Sequence, residues 1–193
     1  MFQGTGVATF EARDEASGAL LWRFAAQDGI MAGPVSYAVD GVQYVAVVSG
    51  YGGGFGLGEG QPTPTVRPNG RVLVFALDGK ASLPEWSAPL APLNPPAETF
   101  SPAQQDRGRL LYTQHCYRCH GAGAQASGVL PDLRRSTALA DAALWRSILL
   151  DGLLASRGMV SFAEWLKPSE VEDIRAYVAL KARIAGQQET PQP

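Results

Sequence analysis

The sequence predicts an α+β chain in two parts, an antiparallel β segment followed by an all-α domain, on three observations. Residues 1–79 run in short stretches of β-branched and aromatic residues broken by glycine and aspartate, which is a strand pattern. Residues 81–100 carry prolines at 84, 89, 92, 95 and 96 and almost no charge, which marks an extended linker. From Ser101 the apolar residues recur at three- and four-residue steps, the helical period. The expected domains are therefore 1–80, a linker over 81–100, a helical domain over 101–185 and a disordered tail over 186–193.

In the β part, Gly6 to Ala12 alternates into a turn at Asp14 to Gly18, and Ala19 to Ala25 forms the next strand. Pro34 to Val39 is followed by Asp40-Gly41, a strong two-residue hairpin signal, and then by Val42 to Ser49. Arg71 to Leu77 supplies one more strand of an antiparallel meander. Ala12-x-Asp14-x-x-Ser17-Gly18-x-x-x-Trp22 resembles the tryptophan-docking motif of quinoprotein β-propellers, with serine where threonine is usual. There Asp14 and Ser17 suit a tight turn and Gly18 permits positive φ. Trp22 can pack between neighbouring blades while its N–H finds a carbonyl. The alternative is an ordinary hairpin with a buried tryptophan. The glycine-rich stretch Gly50 to Gly58 is not a phosphate loop. No register gives G-x-G-x-x-G, no Lys-Ser/Thr follows, and Pro62 and Pro64 prevent the helix that would hold a phosphate. A loop approaching a flat ligand and a plain surface loop both remain open for it.

In the α part, Ser101-Pro102-Ala103-Gln104 joins an N-cap serine, a proline at the first helical position and a glutamine three residues on, so a helix starts here. A second helix is expected near Asp141 to Leu150. A third is expected from Ser169, with Glu172 closing a capping box and Val171, Ile174, Tyr177 and Val178 on one face. Gly108 is placed to let the first and third helices cross closely.

Cys116-Tyr117-Arg118-Cys119-His120 is a C-x-x-C-H pentapeptide, the pattern of c-type haem attachment. Two cysteines on one helical turn can each form a thioether with a haem vinyl group, and the next residue then places imidazole on the iron. Cys116 and Cys119 are thus the expected attachment points and His120 the proximal ligand. A thioredoxin-like C-x-x-C should follow a strand in a βαβ unit, and zinc needs further ligands that the chain lacks. For the opposite axial position the candidates are Met1, Met31, Met159 and His115. Met159 lies 39 residues beyond His120 in a loop between the second and third helices, and thioether ligation there would raise the potential. Met31 reads as structural and His115 as a surface histidine. Pro131 could offer its carbonyl to the other ring proton of His120. Arg134 and Arg135 suit either haem propionates or a solvated basic face.

Composition sets outer bounds. With 46% apolar residues the chain can bury a core, so disorder is excluded. Residues 1–80 carry five basic and seven acidic side chains and 101–193 carry eleven and nine, which argues against nucleic acid as a partner. No apolar run is long enough to cross a bilayer. The start at Met1 has no signal-peptide pattern although covalent haem implies export to the bacterial periplasm, so the chain is expected to begin inside a longer protein.

Taken together, the docking motif, the Val39-Asp40-Gly41-x-Gln43-Tyr44 hairpin, Gly70-Arg71-Val72 with Asp78-Gly79-Lys80, CYRCHG, Pro131-Asp132-Leu133 and GMVSF resemble the C-terminal end of a quinohaemoprotein alcohol dehydrogenase. That resemblance implies the last blades of a partial antiparallel β-propeller followed by a class I cytochrome c domain. It implies haem c on Cys116, Cys119, His120 and Met159, with pyrroloquinoline quinone and calcium only in a full-length parent. Electrons would arrive from an upstream propeller or dehydrogenase subunit and leave for a downstream redox protein or quinone. The family's catalytic aspartate, calcium ligands and adjacent-cysteine disulfide have no counterparts here, so this chain is not expected to oxidise alcohols alone. The other reading is a free-standing cytochrome subunit whose β segment docks on a partner dehydrogenase.

Overall fold

The computed structural model of the chain describes residues 1–51, 69–126 and 130–189. The glycine-rich stretch beyond Tyr51 lies outside the described residues, as does the end of the tail from 190. The described residues fall into two compact units, one of residues 1–51 and 69–90 and one of residues 91–126 and 130–189.

The first unit holds two three-stranded antiparallel meanders, β1 (Phe2–Gly4), β2 (Thr9–Arg13) and β3 (Leu20–Ala25), then β4 (Val35–Val39), β5 (Val42–Ser49) and β6 (Arg71–Ala76). The strand expected from Gly6 begins only at Thr9, because residues 5–8 make the β1–β2 turn. There Thr5 N–H donates to the Thr9 carbonyl at 2.9 Å and Ala8 takes φ 62°. A three-residue strand such as β1 is too short to show alternation in sequence. Between β4 and β5 the Asp-Gly signal folds as it reads: Asp40 at φ 51° and Gly41 at φ 80° join the paired Val39 and Val42.

The Asp14 turn is tied by one carboxylate oxygen, which accepts from Ala16 N at 3.1 Å, Ser17 N at 2.8 Å and Ser17 Oγ at 2.7 Å. The Ser17 bonds, backbone first, hold the Asp14 carboxyl below the ordinary carboxylate range. Trp22, 40% exposed, is edge-on to Phe10 and to Phe75 and near-parallel to Phe24. Since Phe75 lies on β6, this aromatic cluster joins the two sheets over a core of Phe10, Ile30, Val45, Val47 and Leu73.

Strand period 2 sends the alternate residues of the second sheet the other way. Val35, Tyr37, Val42, Val48 and Val74 share that face, and each is 40–58% exposed. Monomeric surfaces seldom carry so continuous an apolar patch.

In the second unit, residues 91–100 lie along the helices, so half of the proline-rich stretch is part of this fold and not a free spacer. Arg135 Nη1 donates to the Ala91 carbonyl at 2.7 Å, Asn94 N to the Arg134 carbonyl at 3.1 Å, and Arg183 Nη2 to the Pro96 carbonyl at 2.7 Å. Arg175, only 2% exposed, pairs with Glu172 and Glu98 and sits 5.1 Å over the Phe100 ring. A buried guanidinium needs such a full set of partners, because an unpaired one would be costly to desolvate.

Helix α1 (Pro102–His115) opens with the expected capping box, Ser101 Oγ accepting from Gln104 N at 3.3 Å while Ser101 N–H reaches Gln104 Oε1 at 3.2 Å. It ends against the one-turn helix α2 (Tyr117–His120). Next, α3 (Ala142–Leu149) is capped by Asp141, whose Oδ1 accepts from Ala143 N and Leu144 N at 3.0 Å each. The buried Trp145 indole of α3 donates to the Val171 carbonyl at 3.2 Å, fastening it to α4 (Pro168–Glu189).

The start of α4 corrects the expected capping box. Pro168 takes the first helical position, as its fixed φ favours, and Glu170 Oε2 accepts from Lys167 N at 2.8 Å. Ser169 is therefore inside the first turn, and Glu172 pairs with Arg175 instead. The α4 face of Val171, Ile174, Tyr177 and Val178 is buried as the period indicates. The helix continues to Glu189, past the point where the tail was expected to begin.

Candidate haem-attachment site

The end of α1 sets the site. Cys116 N donates to the Tyr112 carbonyl at 2.8 Å, and the next turn is closed by Cys119 N and His120 N, which donate to the Cys116 carbonyl at 3.2 and 2.9 Å. Cys116, Cys119 and His120 thus stand on one helical turn, which Gly121 ends by adopting φ 74°. The buried Tyr112 hydroxyl donates to the Gly121 carbonyl at 2.7 Å and pins that end. Sequence reading passed over Tyr112, although it lies four residues before Cys116 on the same face of α1.

Both cysteines are free thiols. Cys116 is 6% exposed, and burial pushes its thiol up to about 12. Cys119 faces solvent. His120 is buried, with Nδ1 3.1 Å from the Pro131 carbonyl oxygen. A carbonyl can only accept, so Nδ1 carries the proton and Nε2 keeps its lone pair. Burial lowers the His120 pKa against the opposing pull of the Pro131 bond, which favours the neutral imidazole that a metal requires.

Met159 follows Gly158, which takes φ 90°, and its N–H donates to the Leu154 carbonyl at 3.2 Å. Its side chain packs on the apolar cluster that contains Tyr112 and Cys116. The loop is held from below by Ser161 Oγ on the Leu150 carbonyl at 2.5 Å and Phe162 N on the Leu149 carbonyl at 2.6 Å. Met1 and Met31 belong to the β unit and are exposed there, so Met31 has no core role in it. His115 is half-buried, its ring edge-on to Phe162 at 6.0 Å, and is not the surface histidine that its position before the first cysteine suggests.

The solvated-face reading of Arg134 and Arg135 is also corrected. Arg134 is 7% exposed and grips Asp132 with two bonds, Nε to Oδ1 at 2.9 Å and Nη2 to Oδ2 at 2.6 Å. Arg135 pairs with Glu189 near the end of α4. Runs of two arginines carry no sign of this in sequence, because their partners come from remote segments and from a carboxylate that reads as an ordinary turn residue.

Two thiols on one turn, a neutral imidazole with a free lone pair at Nε2 and a thioether on the adjoining cluster form a donor set that fits covalently attached haem c. Bound there, haem would supply a one-electron carrier, and His/Met ligation would place its potential high.

Comparisons with known proteins agree with this reading. Residues 103–178 match the family model "Cytochrome C oxidase, cbb3-type, subunit III". The chain is 42% identical over 182 residues to a quinohemoprotein alcohol dehydrogenase, ADH IIB, of Pseudomonas putida, covering 92% of this chain and 26% of that protein. It is 37% identical to lupanine 17-hydroxylase [cytochrome c] of a Pseudomonas species, covering 96% of this chain and 27% of that protein. Among solved structures, quinohemoprotein alcohol dehydrogenase ADHIIG of Pseudomonas putida HK5 superposes with a TM-score of 0.81 at 33% identity, over 97% of this chain and 28% of that one. The enzyme of Comamonas testosteroni gives 0.69 at 30% identity, over 98% and 27%. The chain spans about a quarter of the length of the relatives it matches.

Proposed function

We propose, on the premise that this chain is homologous to the quinohaemoprotein alcohol dehydrogenases and carries their cytochrome c domain, that it accepts electrons one at a time on a haem c and passes them on. Cys116 and Cys119 hold the haem, and His120 and Met159 are its axial ligands. Pro131 orients His120 through its carbonyl. The observation that carries this reading is the single turn joining two free thiols to a buried imidazole whose Nδ1–H is already engaged. The electron donor is a pyrroloquinoline quinone propeller or dehydrogenase subunit, and the acceptor is a downstream redox protein or quinone. Covalent haem attachment supports a periplasmic location. Among the described residues no helix is long and apolar enough to cross a membrane.

Produced with a haem-attachment system, the chain should retain haem in a denaturing gel, with the mass of one haem added. Cys116→Ser with Cys119→Ser should lose all of it. Haem retained by the double variant would sink the proposal.

Within this reading, residues 1–80 are the last part of a propeller. The bare valine and tyrosine face of the second sheet supports it, since blades stack sheet on sheet. Produced alone, residues 1–90 should self-associate or stay unfolded, because that face and the sheet edges go uncovered. A monomer in sedimentation that unfolds cooperatively would count against the propeller.

A further inference from the structure

Resting on the haem reading above, we infer that Asp132 is a positioning residue for the axial imidazole, acting through the carbonyl of its neighbour Pro131. The carbonyl that accepts from His120 Nδ1 belongs to a short irregular segment, and nothing in a turn of this kind fixes a carbonyl direction unless the following residue is held. Asp132 is held on every side. Its Oδ1 accepts from Arg134 N at 3.0 Å, capping the short helical turn Leu133–Arg135, and from Arg134 Nε at 2.9 Å. Its Oδ2 accepts from Arg134 Nη2 at 2.6 Å and lies 3.8 Å from Arg135 Nε.

The clamp is itself anchored. The Arg134 carbonyl accepts from Asn94 N, and Arg135 reaches the Ala91 carbonyl and Glu189. The peptide between Pro131 and Asp132 is thereby fixed at its C-terminal side by a partly buried, bidentate ion pair, the geometry in which a guanidinium gives the most directional hold. A hydrogen bond from a ligating imidazole to a fixed carbonyl sets ring orientation and makes the ring more electron-donating. Loosening the clamp should therefore turn the ring and raise the reduction potential.

The test uses the full haem-loaded chain and compares Asp132→Ala, Asp132→Asn and Asp141→Ala. Asp141 caps α3 and has no bond to the Pro131 segment, so its replacement should cost comparable helix-cap stability. In the oxidised protein the hyperfine-shifted haem methyl signals report the direction of the imidazole plane. Asp132→Ala should redistribute these signals and raise the potential. Asp132→Asn, which keeps the cap acceptor but loses the charge, should shift both less. Asp141→Ala should leave both unchanged while lowering the midpoint of unfolding. Signals unchanged in Asp132→Ala, or moved equally by Asp141→Ala, would overturn the inference. If Asp132→Ala does not fold, Asp132→Asn and Arg134→Gln carry the comparison. A change confined to Arg134→Gln would show that Arg134 serves the haem directly and not through Asp132, and would overturn it as well. Failure of the unsubstituted chain to hold haem would remove the haem reading and this inference with it.

Discussion

Gly108→Ala is expected to lower the thermal midpoint of the helical unit by roughly 8 °C or more, even though alanine is the better helix former. In an exposed helix the exchange would stabilise by about 1 kcal/mol. Here a Cβ on Gly108 would stand 1.8 Å from the Asp173 carbonyl oxygen and 3.0 Å from Tyr177 Cβ. The first contact is with backbone of α4, which cannot swing away as a side-chain tip could, so the two helices must separate. That separation would disturb the Arg107–Asp173 pair, bonded at 2.8 and 2.9 Å, and the Tyr112–Tyr177 contact at 5.1 Å between ring centres. Overpacking costs about 1–3 kcal/mol, and a contact this close against backbone belongs at the upper end, which outweighs the gain in propensity. In a domain of this size each 1 kcal/mol moves the midpoint by at least about 4 °C. Gly186→Ala is the matched control. Its Cβ would meet Leu93 at an ordinary 3.8 Å, so propensity should win and the midpoint should hold or rise slightly. Differential scanning calorimetry of the two haem-loaded variants decides the matter, and a Gly108→Ala midpoint at or above the parent's would show that α1 and α4 do not cross at this glycine.

Gly108 also shows what kind of information a single sequence carries. A glycine in mid-helix contradicts local propensity, so it announces a close approach, and the period of α4 supplied the partner face. The Asp-Gly hairpin, the Ser101 capping box and the C-x-x-C-H turn were legible for the same reason, since each is a local pattern that dictates its own geometry. What escaped depended on distant partners. The two arginines after Asp132 look like solvated charge until Asp132, Glu189 and the Ala91 carbonyl are brought beside them. Residues 91–100 read as a spacer because proline content reports stiffness and says nothing of where a stiff segment lies down. The α4 start was misplaced by competition between two overlapping caps, and proline's fixed φ won over serine's side chain. The residues proposed to hold a haem were nameable from spacing, whereas the Tyr112 hydroxyl on the Gly121 carbonyl and the Asp132–Arg134 clamp emerged only with the fold.

On the ligation proposed above, in which attachment rests on Cys116 and Cys119, Met159→Ala should leave the haem covalently attached yet lower the reduction potential by a sizeable part of the roughly 0.8 V range that axial ligands command. The reason is chemical: a thioether is a weak, soft donor that favours the ferrous state, and its loss admits water or another hard donor that favours the ferric one. Packing complicates the alanine variant, since Met159 also rests on the apolar cluster beneath its loop and its removal leaves a gap there. Met159→Leu separates the two effects by restoring nearly the same volume without sulfur. Both variants should show the lowered potential in redox titration, and only alanine should lose stability in calorimetry. A leucine variant with the parental potential would show that another residue holds the iron. In that event His115 is the remaining imidazole of the chain, but it stands one residue before the first attachment cysteine with its ring against Phe162. Reaching the opposite face of a haem fixed at Cys116 would require the end of α1 to unwind, breaking the Cys116–Tyr112 backbone bond that sets up the whole turn. A change of that size would appear as lost helix in circular dichroism, so the two ligation schemes can be told apart without a further structure.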